Sequence, residues 1–542
     1  MACHVVRPVL TVVLRPAWRR QLDLACLILA SVIVSVQFLR LHAVIAPSAA
    51  PDMAFLRDPH ATPTAEMAWW AWWDQGFYQR AAVAWANGVT DPVFHYYLPG
   101  YPLLGAAFVH VTPADPFLLP DLASFLGTLW LFCSVASRLL DDVPLRIPVA
   151  CGLFVASSVF SSRVLWSWVV PWTTTPETLC IFGALLGATR LVEGGQPRDA
   201  FLTGLATAAI AGFRPADAGM AGLAICVVTG PTLLARRGRL ASSLAAAVGG
   251  ALIPLLVFGG AYFATWGTRL SSYLALSGRI GFEPRLLALR WVTLMIDPRP
   301  LYPDGHGLAE VFFWILPGFA GMAATLVTVR YAVSPLHRLV IAMLVGDIVL
   351  FLIYRDLHPT GLWRFSNYHY FKWTLPLFAL YAVRLLPTMI NRNRRRPLAI
   401  AAACLTIPVL FCWQAGISPI GTLQADKEGP TVTIGSGLRP ISSMIIVPGH
   451  GPSGPPVVEG SAVAASGRVL RDSYDFVIYG TKEAMRIVPL RPLPSEPTTF
   501  GFSSGTYLNR EFTPILARQT ITWGLPFWLA ADTYAQQTLI VR

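Results

Sequence analysis

Eleven apolar runs divide this chain, at about 22–45, 118–140, 147–165, 174–192, 200–213, 216–235, 241–265, 310–330, 338–354, 370–388 and 397–413. An α-helix needs about 20 apolar residues to cross roughly 30 Å of hydrocarbon, and most of these runs approach or reach that length. Lipid offers no partner to a bare N–H or C=O, so a chain that crosses it repeatedly in such runs must do so as helices. The expected fold is therefore an α-helical polytopic membrane protein with about 11 transmembrane helices. Composition agrees: 54% of the 542 residues are hydrophobic and 13% charged, against about a quarter charged in a soluble domain.

The connections orient the runs. Arg7, Arg15, Arg19 and Arg20 precede the first run, which predicts a cytoplasmic N-terminus. Pro-Ser-Ala-Ala at 47–50 also fits a signal-peptide cleavage site, but the run before it is long for such a leader, so a retained span is expected. Alternation then puts Arg146, Arg190 with Arg198, Arg236/Arg237/Arg239, Arg330 with Arg338, and Arg392 with Arg394–Arg396 inside. Every predicted inside loop is basic, so the net charge of +12 reads as topology. No zinc-finger spacing, helix-turn-helix or aromatic-basic sheet motif points to nucleic acid. The eight cysteines fall at the N-terminus or in apolar runs without a CxxC pair, as small hydrophobes.

Three outside connections are long or polar: 46–117, 266–309 and 355–369. The tail, 414–542, changes character, with Gly, Pro, Ser and Thr punctuating β-type runs such as 444–447, 476–479 and 520–523. It reads as a small β-rich extracytoplasmic C-terminal domain, cysteine-free, following a membrane module of 1–413.

The loop 46–117 carries the chemistry. In Trp69-Trp-Ala-Trp-Trp-Asp-Gln-Gly-Phe-Tyr-Gln-Arg80 one carboxylate, Asp74, stands at the head of a predicted helix running to Ala86. Two roles are open to it. It can satisfy the helix N-terminus, where free N–H groups and the dipole favour negative charge, or it can act as a general base, partly desolvated by aromatics. The chain then continues Asp91-Pro-Val-Phe-His-Tyr-Tyr-Leu-Pro-Gly-Tyr-Pro-Leu-Leu104. Asp-Gln-Gly-Phe-Tyr in a long first outside loop, followed some twenty residues on by Tyr-Leu-Pro-Gly-Tyr-Pro-Leu-Leu, resembles the GT-C superfamily of membrane glycosyltransferases, including the protein O-mannosyltransferases and the aminoarabinose transferase of lipid A. The resemblance covers 1–413 in topology more than in identity.

That resemblance implies a polyprenyl-phosphate-linked sugar donor, a hydroxyl acceptor on a cell-envelope glycan, lipid or protein, and inverting transfer at the outer face of a bacterial-type inner membrane. It places Asp74 at the catalytic acid position and Tyr78, Tyr97 and Tyr101 around the substrate cavity. Gln75 stands where many members have a second acid, which weakens the case for a divalent cation held by adjacent carboxylates. A second acid is expected in the next outside connection, where Glu177 is the only carboxylate, in the first turn of the following helix; Glu66 is a further candidate, and Asp58 a weaker one.

A lipid-phosphate donor also needs cations outside. Arg364, His369 and Lys372 in the aromatic segment 354–373, with Arg279 in the preceding outside loop, are the candidate phosphate ligands, through charge-assisted hydrogen bonds. Their alternative role is interfacial snorkelling. Arg214, in Gly212-Phe-Arg-Pro215 between two short runs, either supports the cavity or reaches the interface.

No Walker A, Gly-x-Gly-x-x-Gly, His-Glu-x-x-His or Gly-x-Ser-x-Gly motif occurs, which argues against cytoplasmic nucleotide hydrolysis. A transporter or lipid flippase, or a noncatalytic membrane subunit, is the alternative class. Transporters tend to repeat broken helices in paired halves, and this chain shows a single such pair and no internal repeat.

Overall fold

The computed structural model describes residues 16–47, 68–282 apart from 71, 142 and 144, parts of 284–296, 306–328, 334–354, 357, 362 and 366–390, and short segments beyond 412. The chain divides into two units. One comprises Met1–Ala275, Val329–Gly346 and His369–Arg384, and the other Leu276–Thr328, Asp347–Tyr368 and Leu385–Arg542.

Helices dominate. In chain order they are α1 (Pro16–Ile45), α2 (Trp73–Ala86), α3 (Gly100–Ala106), α4 (Leu118–Leu139), α5 (Arg146–Ser158), α6 (Ser162–Val169), α7 (Thr174–Gly194), α8 (Pro197–Phe213), α9 (Pro215–Ala235) and α10 (Arg237–Trp266). They continue as α11 (Ser272–Ile280), α12 (Leu308–Val311), α13 (Ile315–Thr328), α14 (Pro335–Ile353) and α15 (Leu375–Ile390), the last preceded by a 3-10 turn, Asn367–Phe371.

Among the described residues five helices are long and apolar enough to cross a membrane: Trp18–Ile45, Leu118–Leu139, Pro215–Ala235, Gly238–Trp266 and Pro335–Ile353. The pair α5 and α6 makes a sixth if read as one bent span. Their burial is the reverse of a soluble helix. On α1, Leu24, Ile28, Leu29 and Val32 face outward, as do Leu252, Ile253, Leu256 and Val257 on α10. Apolar side chains left outside in such numbers need lipid as their solvent, and this is a multi-pass membrane protein.

Every expected apolar run coincides with a helix or helix pair except 397–413, of which all but Trp413 lies outside the described residues. Two depart from a single straight span. The run 310–330 is split between α12 and α13. The run 147–165 breaks after Ser158 and turns by 85° into α6. Serines crowd the break: Ser157 Oγ donates back to the Leu153 carbonyl (2.7 Å), a bond that competes with the helix ladder, and Ser158, Ser161 and Ser162 follow. Thirteen residues of α5 rise only about 20 Å.

The first unit packs through small residues. A Cβ on Gly204 of α8 would overlap the Ala247 carbonyl of α10, and one on Gly250 would overlap the Phe201 carbonyl in return. These two glycines let the backbones of α8 and α10 touch, the usual route to tight association in lipid. Gly100 at the head of α3 likewise lies against the Gly212 carbonyl at the end of α8.

In the second unit, backbone pairing beyond residue 412 joins short strands in two antiparallel sheets. One holds Trp413–Ile417, Ser443–Ile446, Phe476–Gly480, Met485–Pro489, Ile515–Ile521 and Thr538–Leu539. The other holds Leu423–Asp426, Gly429–Ile434, Gly460–Ala464, Val469–Leu470 and Thr498–Phe502.

Candidate functional site

Asp74 is the second residue of α2, in the turn where the helix exposes its free N–H groups. The capping position belongs to Trp72, whose side chain makes no capping bond, so the negative charge of Asp74 lies along the dipole without replacing a cap. Its Oδ1 accepts a hydrogen bond from the Tyr97 hydroxyl. The head of α2 is fixed from the next residue, as Gln75 Nε2 donates to the Pro171 carbonyl (3.0 Å).

Tyrosines line this point. Tyr78, one turn along α2, packs on Tyr97 with ring centroids 4.7 Å apart, and Tyr97 packs on Tyr273 at 5.0 Å. Burial pushes the Tyr78 hydroxyl well above the usual tyrosine value, with Asp74, Tyr273 and Tyr370 adding to the shift and a hydrogen bond with Thr173 opposing it. The Tyr97 hydroxyl is raised for the same first reason, burial, and then by Asp74. Both phenols therefore stay protonated, and Tyr97 remains a donor to Asp74. Tyr101 points elsewhere: it is fully buried, stacked on Phe117 at 4.3 Å, and donates to Asp121 Oδ2 (2.7 Å).

A second, cationic group lies in the same unit. Arg214 occupies the single-residue joint between α8 and α9, where Pro215 ends one helix and starts the next. Its Nε is 2.6 Å from Asp217 Oδ2 and 3.9 Å from Glu177 Oε2. Its guanidinium covers the Tyr370 ring at 4.1 Å. Glu177, in the first turn of α7, is thus bound to a cation of the site, and both carboxylates are only 4% exposed.

His369 and Lys372 flank Tyr370, ahead of the first residue of α15. His369 stacks on Trp172 at 3.9 Å, shares a 3.0 Å hydrogen bond between Nδ1 and the Thr174 hydroxyl, and buries an Nε2 that has no hydrogen-bond partner among the described residues. Burial, then Lys372 and Arg214, hold its ring well below the usual histidine value, so it is neutral. Lys372 donates to the Ser167 carbonyl (2.9 Å) and the Thr175 hydroxyl (2.6 Å), with its ammonium 4.7 Å from the Trp168 ring centre.

The expected residues Asp74, Tyr78, Tyr97, Glu177, His369 and Lys372 thus belong to one unit, with Tyr273 packed on Tyr97 and Tyr370 under the Arg214 guanidinium. Glu66 and Arg364 lie outside the described residues, and so does the side chain of Arg279. Sequence reasoning missed Asp217 and Asp121. Asp217 had a visible signal, an acid three residues after an Arg-Pro helix start; Asp121 had one too, a carboxylate in the first turn of an apolar helix. Among the described residues no three His, Cys, Asp or Glu side chains gather as a metal's ligand set. No protein-family model matches this chain, and no curated protein matches it.

Proposed function

We propose that this protein is a membrane glycosyltransferase that moves a sugar from a polyprenyl-phosphate donor to a hydroxyl acceptor at the outer membrane surface. The observation that carries the reading is one carboxylate, Asp74, held by a tyrosine hydroxyl in the same unit as Arg214, His369 and Lys372. In the reaction the acceptor hydroxyl gives its proton to Asp74 as its oxygen bonds to the anomeric carbon. The bond from that carbon to the phosphate oxygen breaks, and its electron pair leaves with the phosphate. The charge that develops there is met by Arg214 and Lys372, with neutral His369 able to donate from Nε2. Inversion at the anomeric carbon follows from the resemblance to GT-C enzymes. Glu177 serves this site by holding Arg214.

In this reading the chain crosses a bacterial-type inner membrane about eleven times, with its N-terminus in the cytoplasm and residues 414–542 as a β-rich extracytoplasmic domain. A divalent cation is a separate question, decided by whether chelation in sealed vesicles stops transfer. The central test is Asp74→Asn at normal membrane abundance, with transfer of labelled sugar from polyprenyl phosphate to envelope material as the readout. Transfer at the wild-type rate sinks the proposal. The buried ions at the α8–α9 joint also suit a transporter or flippase, which would show lipid or solute flux in vesicles and no new glycosidic product.

A further inference from the structure

Three consecutive rings, His95, Tyr96 and Tyr97, lay the chain back along α2 from its end to its head. Gly88, at φ +68°, reverses the chain after Ala86 in a backbone conformation that side chains disfavour. The return then pairs ring with ring: His95 on Trp85 with centroids 4.8 Å apart, Tyr96 on Phe77 at 4.8 Å, and Tyr97 on Tyr78 at 4.7 Å, where its hydroxyl also meets Asp74. His95, the first of the three, is only 1% exposed. Trp266, the last residue of α10, stands 6.3 Å from its ring with planes 79° apart. His95 Nε2 is 2.8 Å from the Val89 carbonyl, and a carbonyl can only accept, so Nε2 carries the proton and Nδ1 keeps a lone pair. That Nδ1 is buried and has no hydrogen-bond partner among the described residues.

We infer that His95 is an acid-released latch: as a neutral ring it seats the segment 87–97, and with it Tyr97, on α2, and protonation unseats both and disengages Asp74. A proton on Nδ1 would put a cation, and an N–H without an acceptor, inside a shell of two indoles. Among the described residues α2 and α10 turn Trp85 and Trp266 to the ring, and the charged group that acts on it is Asp91 on its own turn, whose Oδ1 already accepts from the Val93 N–H (3.0 Å). Burial prevails: it holds His95 below the ordinary histidine value of 6.5, against the Val89 bond and Asp91. The released ring binds a proton more readily than the seated one, so the latch is firm above that ordinary value and weakens as pH falls through it. The consequence for transfer rests on the glycosyltransferase reading; the release itself does not.

The test is hydrogen–deuterium exchange of the full-length protein in detergent micelles at about pH 7.5 and about pH 5, corrected for the intrinsic pH dependence of exchange and read by mass spectrometry on peptides from 87–97. One linked proton can weaken the latch by up to about tenfold per pH unit below the ordinary value, so wild-type protection there should fall about tenfold or more at the lower pH, with peptides of α4 unchanged. His95→Gln can still donate to the Val89 carbonyl and His95→Phe keeps a ring between the indoles, but neither takes the proton, and protection in both should change by less than about twofold. Should one variant misfold, the other still decides. No loss in wild type, an equal loss in a folded variant, or an equal loss across α4 overturns the inference. Transfer of labelled sugar from polyprenyl phosphate at the same two pH values reads the effect on Asp74. Acid should cost wild type about tenfold more transfer than His95→Gln, and equal costs overturn the link to Asp74. Absence of transfer at either pH, with the exchange pattern as expected, refutes the glycosyltransferase reading and leaves the latch standing.

Discussion

Replacing Arg214 with Gln tests whether the joint between α8 and α9 is held by charge. At an effective dielectric of about 20 the gross attraction is roughly 6 kcal/mol to Asp217 at 2.6 Å and about 4 kcal/mol to Glu177 at 3.9 Å. Desolvation of three buried ions consumes most of that, so the intact network contributes little net stability. Removing the cation is another matter. It strands two carboxylates that are only 4% exposed, and breaking a buried pair in this way costs about 3–5 kcal/mol. Asp217→Asn leaves Arg214 with Glu177 and should cost less, about 1–3 kcal/mol. The double variant should be better than additive by at least about 1 kcal/mol, since a neutral amide in place of the Asp217 carboxylate no longer needs the missing cation. Unfolding by SDS in mixed micelles, followed by circular dichroism, gives these values. If Arg214→Gln stays within about 0.5 kcal/mol of wild type, or the two changes simply add, the network is not what fixes this joint.

Further outcomes follow from the same geometry. Tyr97→Phe removes the donor to Asp74 and should slow sugar transfer roughly tenfold or more, since a hydrogen bond to a charged group is worth about 1.5–3 kcal/mol; a wild-type rate in the labelled-sugar assay refutes the pairing. Gly250→Leu drives a side chain into the Phe201 carbonyl and should sharply lower the yield of monodisperse protein. An equally bulky change at Gly249, which has open space around it, should not.

How much is legible depends on whether a property is local. Hydrophobic length and loop charge are local, and the expected runs inside the described residues are helical. The bend at 159–161 is not legible as a bend because average hydropathy cannot see a serine cluster diverting backbone carbonyls. Asp74 is legible because an acid among tryptophans is conspicuous in one stretch of chain. Asp217 and Glu177 become partners only through Arg214, 37 residues from one of them, and that pairing needs the fold. In sequence, His369 and Lys372 read alike as cations for a phosphate. Burial gives them different characters, a neutral ring whose Nε2 has no hydrogen-bond partner among the described residues and an amine held by the Ser167 carbonyl and the Thr175 hydroxyl, because desolvation is a property of the packed protein and not of the sequence.

The irregular backbone of the first unit gives these residues a common logic. Helices are interrupted at 159–161, 170–173 and Arg214, and lipid does not tolerate such breaks unless protein or water satisfies the freed groups. The second and third breaks are each answered by residues of the candidate site. The Pro171 carbonyl takes the Gln75 amide, Lys372 bridges the Ser167 carbonyl and the Thr175 hydroxyl across the 170–173 break, and Arg214 bonds the first turns of α7 and α9. The groups that hold the breaks together are also the ones that could meet a substrate. A ligand that draws Lys372 or Arg214 toward itself must therefore loosen these joints, which couples occupancy of the site to the geometry of α6 and α7.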